Sequence, residues 1–484
     1  MKNITTMATG NLKKKWILIL LFSAMCLAKT SAQETKSASD TENVTSPKVA
    51  LTLEKALEIA FEKGPMVKIS EMEIVKSKYD SKSVWATLLP RIDASGDYGY
   101  TIKKQVMYLG GKGSMPSFPG MPDLSKGIEV GRTHNINGGV TIGMPLIAPQ
   151  LWNSLKLNKQ MVESALLESE LSKVSLTNNV TKAFYALMLA EESFKVMELS
   201  WNYAKSTYED ASKKYEAGII PLYDKIRAEV QMGNIEPNLV KSRNAVSSAR
   251  YMLNILMGVD IETPTTISPL EEGFLEREMS VEAEEMKKGV LSMISNNIDL
   301  KKTDQQIKML KTQESLAKSA YLPSLSLGGY YRVSAMDDTF VLKDYQWTPS
   351  SAVSLSLKIP IFSGGERLMK LKKAKLTTDQ AMLRRELQKN NLLSEAITLN
   401  QKLEGVFSNM QSARNTVTMA EKGYQIAKKR YETGASTLVE LNDAELALLQ
   451  ARLNYQQIIY EFFSLSADKK KMNGYYFQTR DIEQ

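Results

Sequence analysis

A chain of 484 residues with a net charge of +8, one histidine (His134) and one cysteine (Cys26) is long enough for about two to four ordinary domains. So few sulfur and imidazole ligands exclude a structural zinc site and a Ser/His/Asp or Cys/His nucleophile, and Gly110-Gly111-Lys112-Gly113 lacks the spacing of a phosphate loop, so no cofactor and no enzyme activity is expected. Residues 1–32 hold five lysines and no acid; without them the charge falls to +3, which gives no reason to expect a nucleic-acid partner.

The chain opens on Lys13-Lys14-Lys15, an apolar run from Trp16 to Ala28 too short to span a bilayer, and the small-residue site Thr30-Ser31-Ala32. This predicts a signal peptide over 1–32, cleaved after Ala32. Met25 before Cys26 does not fit a lipoprotein signal. A Ser/Thr/Glu/Lys-rich segment, 33–50, reads as disordered. Leu51 to Leu89 reads as helix broken at Gly64-Pro65 and ended by Leu89-Pro90, since the residue before proline disfavours the α region.

Strict alternation follows. Ile92, Ala94, Gly96, Tyr98 and Tyr100 face one way, with Asp93, Ser95 and Asp97 opposite. The same period appears with Ile136, Val140, Ile142 and Met144; with Leu325, Leu327, Tyr331 and Val333; and with Val353, Leu355, Leu357 and Ile359. Strands are predicted at about 91–101, 135–145, 324–333 and 352–361. Segments of about ten residues with one apolar face carry the signature of a membrane barrel. No later apolar run is long enough for a transmembrane helix. The loops between strands, 102–134 and 334–351, differ in length, and the first is rich in Gly, Pro and Met over 109–133. His134 reads as a solvated loop residue. Trp152, Tyr98, Tyr100, Tyr331 and Trp347, near strand ends, suit either aromatic girdles or core packing.

Each strand pair leads into a long helix, at about 151–217 and 366–433, followed by a return helix, 222–257 or 438–466. At 1.5 Å per residue each long run measures roughly 100 Å and must pack as a coiled coil. Most methionines fall at helical spacing and read as packing, and Glu191-Glu192 and Glu284-Glu285 as solvated surface. The turns match at an offset of 216 positions: Tyr215-Glu216-Ala217-Gly218, with Leu222, Asp224, Ala228 and Glu229, recurs as Tyr431-Glu432-Thr433-Gly434, with Leu438, Glu440, Ala444 and Glu445. The chain therefore reads as two copies of one unit, 51–257 and 281–467, joined by an irregular connector, 258–280, and followed by a loosely held tail, 468–484. A single half-helix, 282–320, should lead into the third strand. Four strands cannot close a barrel, for which about eight is the smallest number, and open edges are not tolerated in lipid, so the chain must oligomerise.

This duplication, the prolines at the strand–helix junctions (Pro90, Pro145, Pro323, Pro360), Gly364-Gly365 opening a long helix and the two Tyr-Glu-x-Gly turns resemble the TolC-like outer-membrane efflux family over about Leu51 to Ala467. The resemblance implies a mixed α and β membrane protein. A long antiparallel coiled-coil barrel would extend into the periplasm, and each protomer would give four strands to a 12-stranded trimeric barrel. It implies a passive channel of a tripartite efflux or type I secretion system. The partners would be a homotrimer, a periplasmic adaptor, an inner-membrane transporter and outer-membrane lipid. By position, Asp224, Tyr431, Glu440 and Asp443 match the family's periplasmic gate, and Ala217, Gly218, Ile219, Thr433, Gly434 and Ala435 its adaptor-contacting tips. Ser436 stands where that gate often has arginine, with Lys225 and Arg227 as nearby substitutes. The acids also suit plain helix N-termini, and Gly218 and Gly434 plain C-caps. A polypeptide duct of the same architecture and a pore-less periplasmic coiled-coil scaffold are the competing readings.

Overall fold

The computed structural model describes residues 50–108, 127–269, 271 and 273–478, all in one unit that begins at Ala50. The expected signal peptide, residues 33–49 and most of the Gly/Pro/Met-rich loop lie outside the described residues. Ala50 is not part of a disordered segment: β1 (Ala50–Leu51) pairs in parallel with β6 (Thr266–Ile267).

The helical entry divides at Gly64 as the sequence predicts. Helix α1 (Leu53–Lys63) is capped by Thr52, whose hydroxyl accepts from the Lys55 amide at 3.3 Å, and α2 (Pro65–Ala86) starts on a proline. A Cβ on Gly64 would stand 2.1 Å from the Ala60 carbonyl oxygen, so no other residue fits this break.

Four strands form one antiparallel sheet in the order β2-β5-β7-β8: β2 (Arg91–Tyr100), β5 (His134–Ile147), β7 (Ser324–Asp337) and β8 (Thr348–Lys358). Register sorts the side chains into two faces. Rows such as Ile92–Ile142–Gly329–Val353 and Met144–Leu327–Leu355 make one face apolar. Rows such as Asp97–Asn137–Ser334–Thr348 and Ser95–Gly139–Arg332–Ser350 make the other polar. The apolar side chains are left open, with Val353 82%, Leu355 64% and Leu357 61% exposed. Among the described residues, the outward edge of the two outer strands, β2 and β8, has no ladder partner.

The strand ends differ from expectation. Pro145 does not close β5, which continues to Ile147 through a register shift between Pro145 and Ile147. Proline cannot donate to a ladder, and the irregularity accommodates it. The loop after β2 contains a small hairpin, β3 (Gln105–Met107) with β4 (Ile128–Val130). His134 is not a loop residue: it begins β5 on the apolar face, its Nδ1 2.8 Å from the Tyr98 hydroxyl, with the rings of Tyr100 and Phe340 at 5.2 and 5.3 Å. Tyr98, Tyr100, Tyr331, Trp347 and Trp152 are all about half exposed, so none belongs to the protomer's core. Beside them, Asp338 ties two loops together by accepting from Lys104 and Arg132, each at 2.7 Å.

The prolines and glycines at the other junctions stand where the sequence puts them. Pro90 directly precedes β2, Pro323 precedes β7, Pro360 follows β8, and Gly364 and Gly365, at φ +60° and +86°, lead into the fourth strand's helix. Helix α3 (Pro149–Glu216) has 68 residues and pairs with α4 (Leu222–Met257). Between α4 and β7 the chain makes three helices and not one: α5 (Phe274–Lys287), α6 (Val290–Ile294) and α7 (Ile298–Ser319). Gly289, at φ +83°, and Asn297 cause the breaks; the Asn297 side chain caps α7 through the Leu300 amide at 3.1 Å and donates to the Met472 carbonyl at 2.9 Å. Helix α5 also begins inside the segment expected to be an irregular connector. Helix α8 (Glu366–Glu432) has 67 residues and pairs with α9 (Leu438–Met472).

Helix α3 is the hub, packing against α1, α2, α4, α7 and α9. Around its middle lies the main core, where Val180, Leu187, Leu253, Leu403 and Phe462 are 1% exposed or less and Tyr185 stacks on Phe463 at 3.9 Å. Glu191 is not ordinary surface: it is partly buried 4.0 Å from Arg250, and burial pushes its carboxyl pKa up.

The tail is not loose over its described part. Helix α9 continues to Met472; Asp468 takes hydrogen bonds from Asn178 at 3.1 Å and Lys182 at 2.7 Å; and Phe477 is buried against Phe61. Lys469 is buried with Glu282 of α5, which also accepts from the Ser466 hydroxyl at 2.8 Å. Removing one partner of a buried pair strands the other charge. Lys469→Met should therefore destabilise the fold by about 3 kcal/mol or more, whereas Lys195→Met, in an exposed pair with Glu192, should cost under ~1 kcal/mol. Thermal unfolding of the detergent-extracted protein measures both.

Candidate functional site

The two turns that join α3 to α4 and α8 to α9 share one backbone solution. The Ile219 amide bonds to the Lys214 carbonyl at 2.8 Å and the Ala435 amide to Arg430 at 2.7 Å, closing each long helix with a Schellman motif. Gly218 and Gly434 hold the left-handed position at φ +70° and +74°. A Cβ on either would meet nothing within 4 Å, so conformation selects glycine here, and the space above the backbone stays open. Ala217, Gly218, Ile219, Thr433, Gly434 and Ala435 are all exposed.

Helix α9 opens on Thr437, whose hydroxyl accepts from the Glu440 amide at 3.3 Å, while α4 opens on Pro221 with no side-chain cap. Glu440 thus sits where a capping-box acid belongs, and its carboxylate lies 3.9 Å from Arg430. Arg430 also donates to the Ala435 carbonyl at 3.1 Å, bridging the turn. Sequence reading missed this arginine, although it stands one residue before the Tyr-Glu-x-Gly signature. Asp443, a turn further on, is exposed and makes no ion pair among the described residues.

Tyr431 is where the two helical hairpins meet. It packs beside Leu438 of α9, Ala211 of α3 and Ala228 of α4, and the Lys214 ammonium lies 4.4 Å from its ring centroid. Burial, then the charges of Asp210 and Asp224, push its hydroxyl pKa up. The expected substitutes for a gate arginine do not pair with Asp224. Lys225 lies over the Tyr215 ring at 5.5 Å, and among the described residues neither Lys225 nor Arg227 reaches a carboxylate. The Ser436 hydroxyl is buried and has no hydrogen-bond partner among the described residues.

One further acid in this region was read only as part of the repeat. Glu445 is 3% exposed on α9 and accepts from the Ser200 hydroxyl of α3 at 3.0 Å; burial pushes its carboxyl pKa up to about 6 against the opposing effect of that hydrogen bond. Its sequence counterpart Glu229 is exposed. The signal, a matched acid in both turns, was present in the sequence; the burial was not.

The family model described as "Outer membrane efflux protein" matches residues 56–259 and 291–461, which take in all four strands and most of both long hairpins. The chain belongs to this family. It is an outer-membrane protein of the efflux channel class, with its helices on the periplasmic side. Over 330 residues it is 19% identical to outer membrane protein TolC of Vibrio cholerae, covering 68% of this chain and 74% of that protein. It is 22% identical over 301 residues to the cobalt-zinc-cadmium resistance protein CzcC of Cupriavidus metallidurans, covering 61% of this chain and 66% of that one. In fold it is similar to the CmeC outer membrane channel of Campylobacter jejuni, with a TM-score of 0.69 at 17% identity, over 89% of this chain and 88% of that one.

Gly434→Val should strain the turn by about 1–2 kcal/mol, since a β-branched residue resists the left-handed position. Thr437→Ala should cost about 1 kcal/mol through loss of the cap. Hydrogen exchange of the turn amides should report both as faster local opening, with the core amides around Leu187 unaffected.

Proposed function

We propose that three copies of this chain, exported with residues 1–32 removed, form a passive duct through the outer membrane. In this reading β8 of one protomer joins β2 of the next, and twelve strands close a barrel with the apolar face in lipid. The exposed tyrosines and tryptophans form its girdles. Residues 51–257 and 281–467 are duplicate units whose hairpins build the periplasmic tube. The observation that carries this is the sheet itself: one continuous apolar face, one polar face and two unpaired outer edges. An exposed edge in hydrocarbon leaves backbone groups unsatisfied, and closure by identical copies removes every edge at once.

The tips are the periplasmic end. Exposed glycine turns without overlying side chains suit contact with an adaptor, which links the duct to an inner-membrane transporter. Asp224, Tyr431, Glu440 and Asp443 form the gate, and threefold repetition of its acids concentrates negative potential around the axis. Driving energy comes from the partner transporter.

Native mass measurement of the detergent-extracted protein should give a trimer, and planar bilayers containing it should conduct ions. A water-soluble, non-conducting protein would replace the duct with the scaffold reading. Glu440→Gln combined with Asp443→Asn should raise the concentration of trivalent cation needed for half-block from the tip side about tenfold, the loss of roughly 1.4 kcal/mol of attraction. Unchanged block would make both acids helix caps and not pore lining.

A further inference from the structure

We infer that the buried hydrogen bond between Ser200 and Glu445 is a proton-sensitive latch that holds the α8/α9 hairpin against the α3/α4 hairpin. It rests on the reading of these hairpins as the gate. Three observations support it independently of each other.

The first is connectivity. Ser200 lies on α3 and Glu445 on α9, so their bond crosses from one hairpin to the other. A second crossing lies beside it, where Tyr203 of α3 stacks on Tyr424 of α8 at 5.1 Å. Tyr424, Leu441 and Leu448 form one buried cluster, and Tyr431 packs against it, so the latch and the gate residue share a packed wall.

The second is the missing cation. Among the described residues no Lys or Arg lies within ion-pair distance of Glu445. Arg452, on its own helix, is engaged by Glu421 of α8 at 2.9 Å. Ser200 of α3 bonds Glu445 directly, and Tyr424 of α8 feels its charge; Tyr203 of α3 and Glu432 of α8 lie around Tyr424 in turn. None of these can neutralise a carboxylate. A buried, unpaired carboxylate is costly, and a neutral carboxyl in the same place is not.

The third is the comparison within the chain. Glu229 occupies the matching position of the first turn and is exposed. The burial of Glu445 therefore does not follow from the turn motif; it arises only where the second hairpin meets the first.

The sign follows from the two environments. Packed, the carboxyl holds its proton up to about pH 6; released into water by separation of the hairpins, it returns to its ordinary value of 4.5. The packed arrangement binds the proton more tightly, so acid favours it, and a rise in pH through about 6 favours separation. Full passage through this window shifts the equilibrium by about 30-fold per protomer. Acid on the tip side would thus hold the duct closed.

The test uses the full-length protein in two readouts. In planar bilayers the wild-type open fraction should rise steeply between about pH 4 and pH 6.5 on the tip side. Glu445→Gln, which carries a permanently neutral amide in the same shape, should flatten that dependence and stay near its acid level. Glu229→Gln should leave the dependence intact. Separately, spin labels on Lys205→Cys of α3 and Lys422→Cys of α8, both exposed, should move apart over the same pH range in detergent, and Glu445→Gln should abolish the movement. A label distance that responds to pH through Glu445 in a protein that does not conduct would keep the latch and remove the duct. Wild-type pH dependence retained in Glu445→Gln would overturn the latch and leave the duct standing.

Discussion

An unpaired strand edge beside an apolar face is the constraint on which the rest of this structure depends. The sheet exposes Val353, Leu355 and Leu357 on one side and leaves β2 and β8 open at its flanks. Neither condition is stable in water, and the second is not stable in lipid either. In the proposed duct such a sheet is completed by other copies of itself, and those copies would be held in register by something outside the membrane. The long helices supply that. Helix α3 touches five other helices and carries the main core, so the aqueous part of the protomer is fixed independently of the sheet.

The parts of the fold legible in the sequence are those governed by local periodicity. Period-two alternation sorts the strand faces because the pleat allows no other arrangement. A run without Gly or Pro from Trp152 to Ala217 leaves helix as the only economical conformation. Repeated Tyr-Glu-x-Gly turns locate both helix ends, and the φ angles of Gly218 and Gly434 give the reason. What could not be read depends on partners distant in the chain. The Lys469-Lys470-Lys471 run looks like a solvated tail, yet Lys469 is buried because Glu282, far back in the sequence, meets it. The break before α7 is set by Asn297 bonding to Met472.

The same division holds at the two helical turns. Tyr431, read from position, stands where the two hairpins meet, and the charge of Asp224 reaches it. Lys225 and Arg227, read from sequence proximity alone, do not pair with Asp224; Arg430 faces Glu440 because the Schellman turn folds the last helical residues back over the next helix. Glu229 and Glu445 have equivalent neighbours in sequence and opposite environments, because only tertiary packing distinguishes the two hairpins.

The contact between Phe477 and Phe61 has a consequence for how the protomer comes into being. It joins the last described turn of the chain to the first helix, and Phe462, Phe463 and Phe477 fill the same core as Ala56 and Leu57. Pairings this far apart in sequence close a very long loop, and loop closure of this kind slows folding. The main core is therefore complete only once the residues around Phe477 have joined the first helix.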